Sequence, residues 1–198
     1  MGLKIKEWLK DKLPEIKEWA STIIIATLIA LFIRSFIVQP FKIPTGSMRE
    51  TLIEGDRIFV NRFIYGLRIP FTTVRFFKFN YPKRGDVIVF NYPEEPKRAF
   101  IKRLIAKGGD VVEIRDGKIY VNSQEFDLPC VKNIYYYNRG DYGLIGQKIV
   151  VPKNSYYVLG DNSRSSKDSR FWGFVDDKYL IGQAFFVYWP LNRIRVVK

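Results

Sequence analysis

The chain contains no histidine and only one cysteine in 198 residues. Without histidine there is no Ser-His-Asp triad, no Cys-His protease pair and no His-ligated zinc site. A single cysteine, Cys130, allows neither an internal disulfide nor a cysteine metal cluster. It stands beside Pro129 with no histidine to activate it, and reads as structural. Also missing are the Gly-x-Ser-x-Gly elbow, a Ser-x-x-Lys pair, the phosphate-binding Gly-x-x-x-x-Gly-Lys motif and the dinucleotide Gly-x-Gly-x-x-Gly. Nothing calls for a metal or a cofactor. Acidic residues are scarce, 20 against 33 Lys and Arg, for a net charge of +13. Such a balance suits a surface facing anionic lipid or nucleic acid and identifies neither.

What is present begins with residues 3–18, LKIKEWLKDKLPEIKE, where Leu3, Ile5, Trp8, Leu9, Leu13 and Ile16 recur at roughly helical spacing among charges. This predicts an amphipathic segment at a membrane surface, broken or kinked at Pro14. From Trp19 to Ile33 there is no charge, and the apolar character continues past Arg34 to Val38. As a helix, 19–38 would be about 30 Å long, the thickness of a bilayer core. Trp19 suits the near interface, and Arg34 can snorkel at the far one. A buried core helix and a cleaved signal peptide are the other readings. The VQPFKIP that follows lacks a small-x-small cleavage pattern. Charges flank the segment on both sides, so the positive-inside rule leans only weakly to a cytoplasmic N-terminus.

Beyond Pro40 the pattern becomes strand-like. Runs at 56–60 and 86–90 are each introduced by a Gly-Asp pair, Gly55-Asp56 and Gly85-Asp86. Residues 111–114 and 119–121 read as a hairpin across Asp116-Gly117. Further strands are expected at 148–151, 156–159 and 184–189. No long helical pattern follows the apolar segment, beyond a turn or two after Ser47. Residues 39–198 are therefore expected to form one mostly β domain of packed antiparallel sheets or a barrel. Residues 69–82, IPFTTVRFFKFNYP, interleave five aromatics with Arg75 and Lys78. An ordinary strand and loop, lipid contact and base stacking all fit that stretch.

Ser47 sits in Pro44-Thr45-Gly46-Ser47-Met48, a tight-turn sequence that presents the serine rather than packing it. On its own it would be a turn residue or a cap. A nucleophilic serine needs a base, and here only Lys, Asp and Glu remain. A lysine qualifies only if it is neutral near pH 7, which requires apolar burial. Lys102 lies in Ala99-Phe100-Ile101-Lys102-Arg103-Leu104-Ile105, where strand alternation puts Phe100, Lys102 and Leu104 on one face and Arg103 on the other. An edge-strand lysine that discourages aggregation is the plainer reading. A third stretch, 160–174, GDNSRSSKDSRFWGF, is dense in turn formers and hydroxyls. It is either a solvated loop or, bracketed by aromatics, a hydrogen-bonding support for a site.

Together these stretches resemble the type I signal peptidases, membrane-bound serine proteases with a Ser/Lys dyad. PTGSM, GDRIFVNRFIYG (55–66), FIKR (100–103) and GDNSRSSKDSRFWGFV (160–175) stand in the family's order, with Ser47 and Lys102 at the family's separation of 55 positions. The resemblance implies that Ser47 attacks the scissile carbonyl and that neutral Lys102 takes its proton and returns one to the leaving amine. It implies an oxyanion hole from the Ser47 N–H and the hydroxyl of Thr45, where the family often has serine. Ser166 would orient the lysine, and Asp168 would pair with Arg170 and with Arg103. The substrate would be the end of a signal peptide with small residues at −1 and −3, bound as an extended strand. Its pockets would be walled by Phe41, Ile43, Met48, Leu52, Ile58, Val89, Phe100 and Ile101. The implied organisation is a short cytoplasmic or interfacial segment (1–18), one transmembrane helix (19–38) and an extracytoplasmic catalytic domain (39–198). The implied partners are preproteins and the phospholipid bilayer, with no nucleic acid and a monomeric chain. Two other functions stay open. A self-cleaving repressor of related chemistry would need a DNA-binding domain where the apolar segment stands. A non-enzymatic, membrane-anchored β-domain would bind anionic partners through its positive charge.

Overall fold

The computed structural model describes residues 2–32, 37–68, 75–76 and 80–197. The chain divides into two compact units, Met1–Ile37 and Val38–Lys198.

The first unit is a helix, α1 (Gly2–Phe32), without interruption at Pro14. The expected break does not occur. Good helix formers flank the proline on both sides, and a Lys12–Glu15 ion pair of 2.6 Å spans it. The helix continues through residue 19. Residues 15–31 are all exposed, including Trp19, Ile24 and Leu28. Among the described residues no helix is long and apolar enough to cross a membrane. Residues 33–36 of the 19–38 segment lie outside those described, and Val38 is already a strand residue.

The second unit is mostly β, as expected. Its strands are β1 (Val38–Lys42), β2 (Arg57–Asn61), β3 (Leu67–Arg68), β4 (Arg75–Phe76), β5 (Val87–Tyr92), β6 (Glu95–Lys107), β7 (Val111–Arg115), β8 (Lys118–Val121), β9 (Gln124–Glu125), β10 (Ile149–Val150), β11 (Ser155–Leu159), β12 (Val175–Asp176), β13 (Leu180–Trp189) and β14 (Arg195–Val196). The larger sheet runs β1-β2-β13-β5-β6-β11-β12, with β14 added to β13; a smaller one runs β10-β7-β8-β9. Each pairing is antiparallel. The β7–β8 hairpin turns at Asp116 and Gly117, both with positive φ, the geometry that an Asp-Gly pair favours. Of the aromatic stretch 69–82, residues 75–76 pair with 67–68, and 69–74 and 77–79 lie outside the described residues.

One local device recurs three times. Gly55, Gly85 and Gly109 take positive φ, and the aspartate after each folds back. Asp56, Asp86 and Asp110 each accept a hydrogen bond from the N–H three residues earlier, at 3.0, 2.8 and 2.9 Å. Glycine supplies the left-handed backbone at no steric cost and the carboxylate closes the loop, so each strand starts at a fixed place.

Three apolar clusters fill the unit. One lies under the smaller sheet, around Ile114, Val121, Tyr136 and Tyr157. A second gathers Ile43, Met48, Leu52, Ile58 and Val89. The third joins Ile88, Phe90, Leu104 and Val158. β6 runs past all of them, and its long middle section carries the candidate site.

Candidate active site

The turn that carries Ser47 is short and tightly held. Gly46–Met48 form one 3₁₀ turn, with Thr45 extended before it (φ −135°, ψ 153°). The chain re-enters the core at once. Met48 and Leu52 are fully buried, and the Leu52 N–H donates to the Met48 carbonyl at 2.5 Å. The turn is pinned from across the sequence. The Asn162 N–H donates to the Ser47 carbonyl at 3.0 Å, and its Nδ2 donates to the Gly46 carbonyl at 2.9 Å. Ser47 lies in the first turn of this element, where backbone N–H groups lack an intrahelical acceptor. The Thr45 side chain makes no capping bond and faces the same cavity as Ser47.

Lys102 arrives on β6 from the other side. Its Nζ lies 2.6 Å from Ser47 Oγ and donates to the Ile101 carbonyl at 3.0 Å. The side chain is 3% exposed, and its Nζ sits 5.6 Å from the centre of the Phe100 ring. Among the described residues no carboxylate forms an ion pair with it. Burial therefore dominates and pushes the pKa from 10.5 down to about 8, against the weaker pull of Asp168 and Asp161. The alternation expected of the strand holds, with Leu104 buried on the Lys102 face and Arg103 opposite.

Arg103 does not reach solvent on that opposite face. It is fully buried, and its carboxylate partner is Asp161 rather than Asp168. Nε meets Oδ1 at 2.9 Å and Nη2 meets Oδ2 at 2.6 Å. Nη1 donates to the Gly85 carbonyl at 2.7 Å and Nη2 to Thr51 Oγ1 at 3.0 Å, while Thr51 in turn donates to Asp161. Asp168 pairs with Arg170, as expected, through two bonds of 2.8 Å. Arg170 also donates to the Tyr137 carbonyl and Ser163 Oγ, both at 2.8 Å. Of the two readings left open for the 160–174 loop, a solvated loop and a hydrogen-bonding support, six positions follow the second: Asp161, Ser163, Ser166, Asp168, Ser169 and Arg170 are all buried, while Arg164, Ser165 and Lys167 are exposed. The chain forms α2 (Ser169–Trp172) there, capped by Asp168.

Ser166 differs from its expected place. Its Oγ is buried and has no hydrogen-bond partner, Lys102 included. It is wedged against Gly160, where an added Cβ would stand 2.1 Å from Ser166 Oγ and 2.5 Å from the Ser47 carbonyl. Only glycine lets the two segments close up there. Asp161 and Asn162 belong to the stretch whose sequence suits hydrogen-bonding support, but neither their partners nor the part of Thr51 is marked in the sequence. The partners of these three lie 58, 116 and 110 positions away, a separation no local pattern encodes.

Two cavities open beside the serine. The larger, about 250 Å³, is lined by Pro44, Thr45, Ser47, Lys102, Ser165, Lys167 and the β6 segment Ala99–Ile101. The smaller, about 30 Å³, is lined by Phe41, Lys42, Ile43, Ile58 and Val89, and shares Pro44 and Ala99–Ile101 with the first. Six of the eight expected pocket residues line these cavities. Met48 and Leu52 line neither, because the turn after Ser47 drives both into the core. β6 is bonded to β5 along residues 95–103, whereas β11 joins it only from Arg103 on. Among the described residues β1 pairs with β2 alone. Both strands thus offer an open edge beside the cavities. The described residues hold no cluster suited to a metal ion.

A family model described as "Signal peptidase, peptidase S26" matches residues 16–189. "Signal peptidase I" of Pseudomonas aeruginosa is 33% identical over 214 residues, covering 91% of this chain and 75% of that protein. "Signal peptidase I P" of Bacillus subtilis subsp. natto is 35% identical over 193 residues, covering 96% and 97%. A crystal structure of a signal peptidase I from Enterococcus faecalis aligns at 32% identity and a TM-score of 0.45, over 52% of this chain and 97% of that one. On the span of the family match and the extent of these identities, the chain belongs to the signal peptidase family, peptidase S26.

Proposed function

We propose that Ser47 is the nucleophile and Lys102 the general base of a serine endopeptidase that removes signal peptides from exported preproteins. The reaction class follows from the family. The assignment of roles rests on one observation above all: the 2.6 Å approach of Lys102 Nζ to Ser47 Oγ by a buried lysine without a counterion. With a pKa of about 8, roughly a tenth of the molecules hold a neutral Lys102 at pH 7.

Neutral Lys102 takes the Ser47 proton as Oγ bonds to the scissile carbonyl carbon. The Ser47 N–H and the Thr45 hydroxyl receive the developing oxyanion. As the tetrahedral intermediate collapses, the C–N bond breaks and Lys102 delivers its proton to the departing amine. Water then attacks the acyl-Ser47 ester, with Lys102 again as base, and frees the signal peptide. Arg103–Asp161 and Asp168–Arg170 hold the strand and the loop that frame the dyad. Ser166, whose buried hydroxyl is unbonded, is the residue to which the family resemblance gives the role of orienting the lysine.

The two cavities accept small side chains at −1 and −3, the smaller one taking a methyl-sized group. A substrate in extended form would complete the open edge of β1 or β6. The bilayer anchor would be the stretch around 19–38. Its support is the charge-free run from Trp19 to Ile33 and the exposure of Ile23, Ile24, Ile25, Leu28 and Ile29, which water does not favour. The catalytic unit would then face the extracytoplasmic side. One chain supplies both members of the dyad, so a monomer suffices, and no step involves nucleic acid. The non-enzymatic reading gains nothing from the two relatives described above, both named as signal peptidases.

The test is incubation of the detergent-solubilised protein with a preprotein carrying an Ala-x-Ala site, beside its Ser47→Ala variant. Cleavage after the second alanine by the wild type alone is expected. Equal cleavage by both would overturn the assignment of Ser47.

A further inference from the structure

The wall shared by the two cavities has little backbone support. β11 joins β6 only from Arg103 on, so it does not flank Ala99, Phe100 and Ile101. Phe100 is the one aromatic side chain of that wall; it is half-buried and lines both cavities. Its direct partner across the β5–β6 pair is Phe90, whose ring meets it edge-on with centres 6.5 Å apart. Closer support comes from Tyr92 at the end of β5, a diagonal neighbour within reach of an aromatic side chain. The Tyr92 and Phe100 rings lie within 4° of parallel, with centres 4.5 Å apart. At that distance one face of Phe100 is filled.

Tyr92 is itself held from several sides. It is 6% exposed. Trp172 of α2 meets it edge-on, with centres 5.0 Å apart, and meets Phe100 at 5.7 Å. The Tyr92 hydroxyl donates to Glu94 in the β5–β6 turn, and the Lys167 ammonium stands 5.4 Å from its ring centre. Yet Tyr92 lines neither cavity. The face of Phe100 that it covers cannot touch a substrate, so substrate side chains meet the rest of the Phe100 ring. How far that ring projects into the cavities is therefore set from behind. The smaller cavity holds only about 30 Å³, and a close-packed wall is sensitive to a change of even one methylene.

We propose that Tyr92 is a positioning residue for substrate selection: by stacking on Phe100 it fixes how large a side chain the cavities accept at −3 and −1. The inference rests on the peptidase reading and adds to it the source of the size limit. Tyr92 acts through Phe100 and touches no substrate. Loss of its ring leaves a void behind Phe100 into which that ring can relax, and the cavities in front gain the volume.

The test uses the full-length protein in detergent and peptides with Ala or Leu at −3, at −1 and, as a control, at −2, whose side chain alternates away from the cavities in an extended peptide. The readout is the Ala-over-Leu ratio of kcat/KM at each position, which a general loss of folded enzyme does not move. In Tyr92→Ala the ratio at −3 should fall about tenfold, with a smaller fall at −1. Tyr92→Phe keeps the stacked face and should keep the wild-type ratios. Tyr92→Leu fills much of the space without a flat face; its ratio at −3 should fall too, and it decides the matter if Tyr92→Ala does not fold. Ratios at −2 should be the same in all four proteins. A wild-type ratio at −3 in the folded Ala and Leu variants, or an equal fall in Tyr92→Phe, would overturn the proposal and leave the peptidase reading standing. Cleavage of no peptide by the wild type would overturn both.

Discussion

Lys102 and Arg103 are neighbours on one strand, both buried to within 3% of completely, and the fold treats them in opposite ways. Arg103 meets a bidentate carboxylate, a carbonyl and a hydroxyl, so its charge is kept. Lys102 meets a serine hydroxyl, one carbonyl and the Phe100 ring, so its charge is disfavoured. The lesson is that burial alone does not decide protonation. What decides it is whether a counterion is buried too. β6 carries, at adjacent positions, a guanidinium paired with Asp161 and a buried amine whose pKa is lowered.

The sharpest way to break this contrast is to give position 102 a charge that cannot leave. Lys102→Arg should abolish cleavage of an Ala-x-Ala preprotein, as should Ser47→Ala. Each should cost about 10⁴-fold or more in kcat/KM, with the folded state retained by circular dichroism. Removing one oxyanion donor is next in size. Thr45→Val keeps the β-branched shape but loses the hydroxyl, and should slow kcat by about a hundred- to a thousandfold. On the Arg103 side the loss appears in stability instead. Asp161→Ala strands a buried guanidinium, at a cost of about 3–5 kcal/mol in unfolding free energy, and Tm should fall by roughly 10 °C. The smallest effect belongs to an exposed pair. Glu125→Gln removes the partner of Lys118, 2.8 Å away and open to solvent, and Tm should move by no more than about a degree.

The contrast also predicts how stability depends on pH. The folded-state pKa of Lys102 is about 8, below its ordinary 10.5, so between those values the unfolded chain holds more protons. Stability should therefore rise with pH across that window, by about 3 kcal/mol in all. Lys102→Met, which cannot titrate, should lose that rise.

Much of this was legible from local pattern, because local pattern is what turns and strands obey. The Asp116-Gly117 hairpin, the Gly-Asp strand starts and the alternation around Lys102 each need only a few consecutive residues. The apolar setting of Lys102 was visible for the same reason. Less legible were features set by distant partners. The 160–174 loop is polar in sequence, and its polarity is spent internally on Arg103, Arg170 and the Ser47 turn. Nothing near Asp161 in the chain announces Arg103. Met48 and Leu52 were expected at a pocket wall, but the tight 3₁₀ turn directs them inward. The strand at 184–189 begins earlier, at Leu180, because pairing with β5 draws in Leu180 and Gly182. α1 passes Pro14 because the helix formers around it outweigh one lost backbone bond.

In the proposed reaction Lys102 acts as a neutral amine because it is buried with no carboxylate paired to it among the described residues. The pH dependence of kcat/KM on an Ala-x-Ala peptide tests it most directly. The rate should rise with pH to a midpoint near 8, set by loss of the Lys102 proton. A midpoint near the 10.5 of an ordinary lysine, or a rate that does not rise with pH, would contradict it.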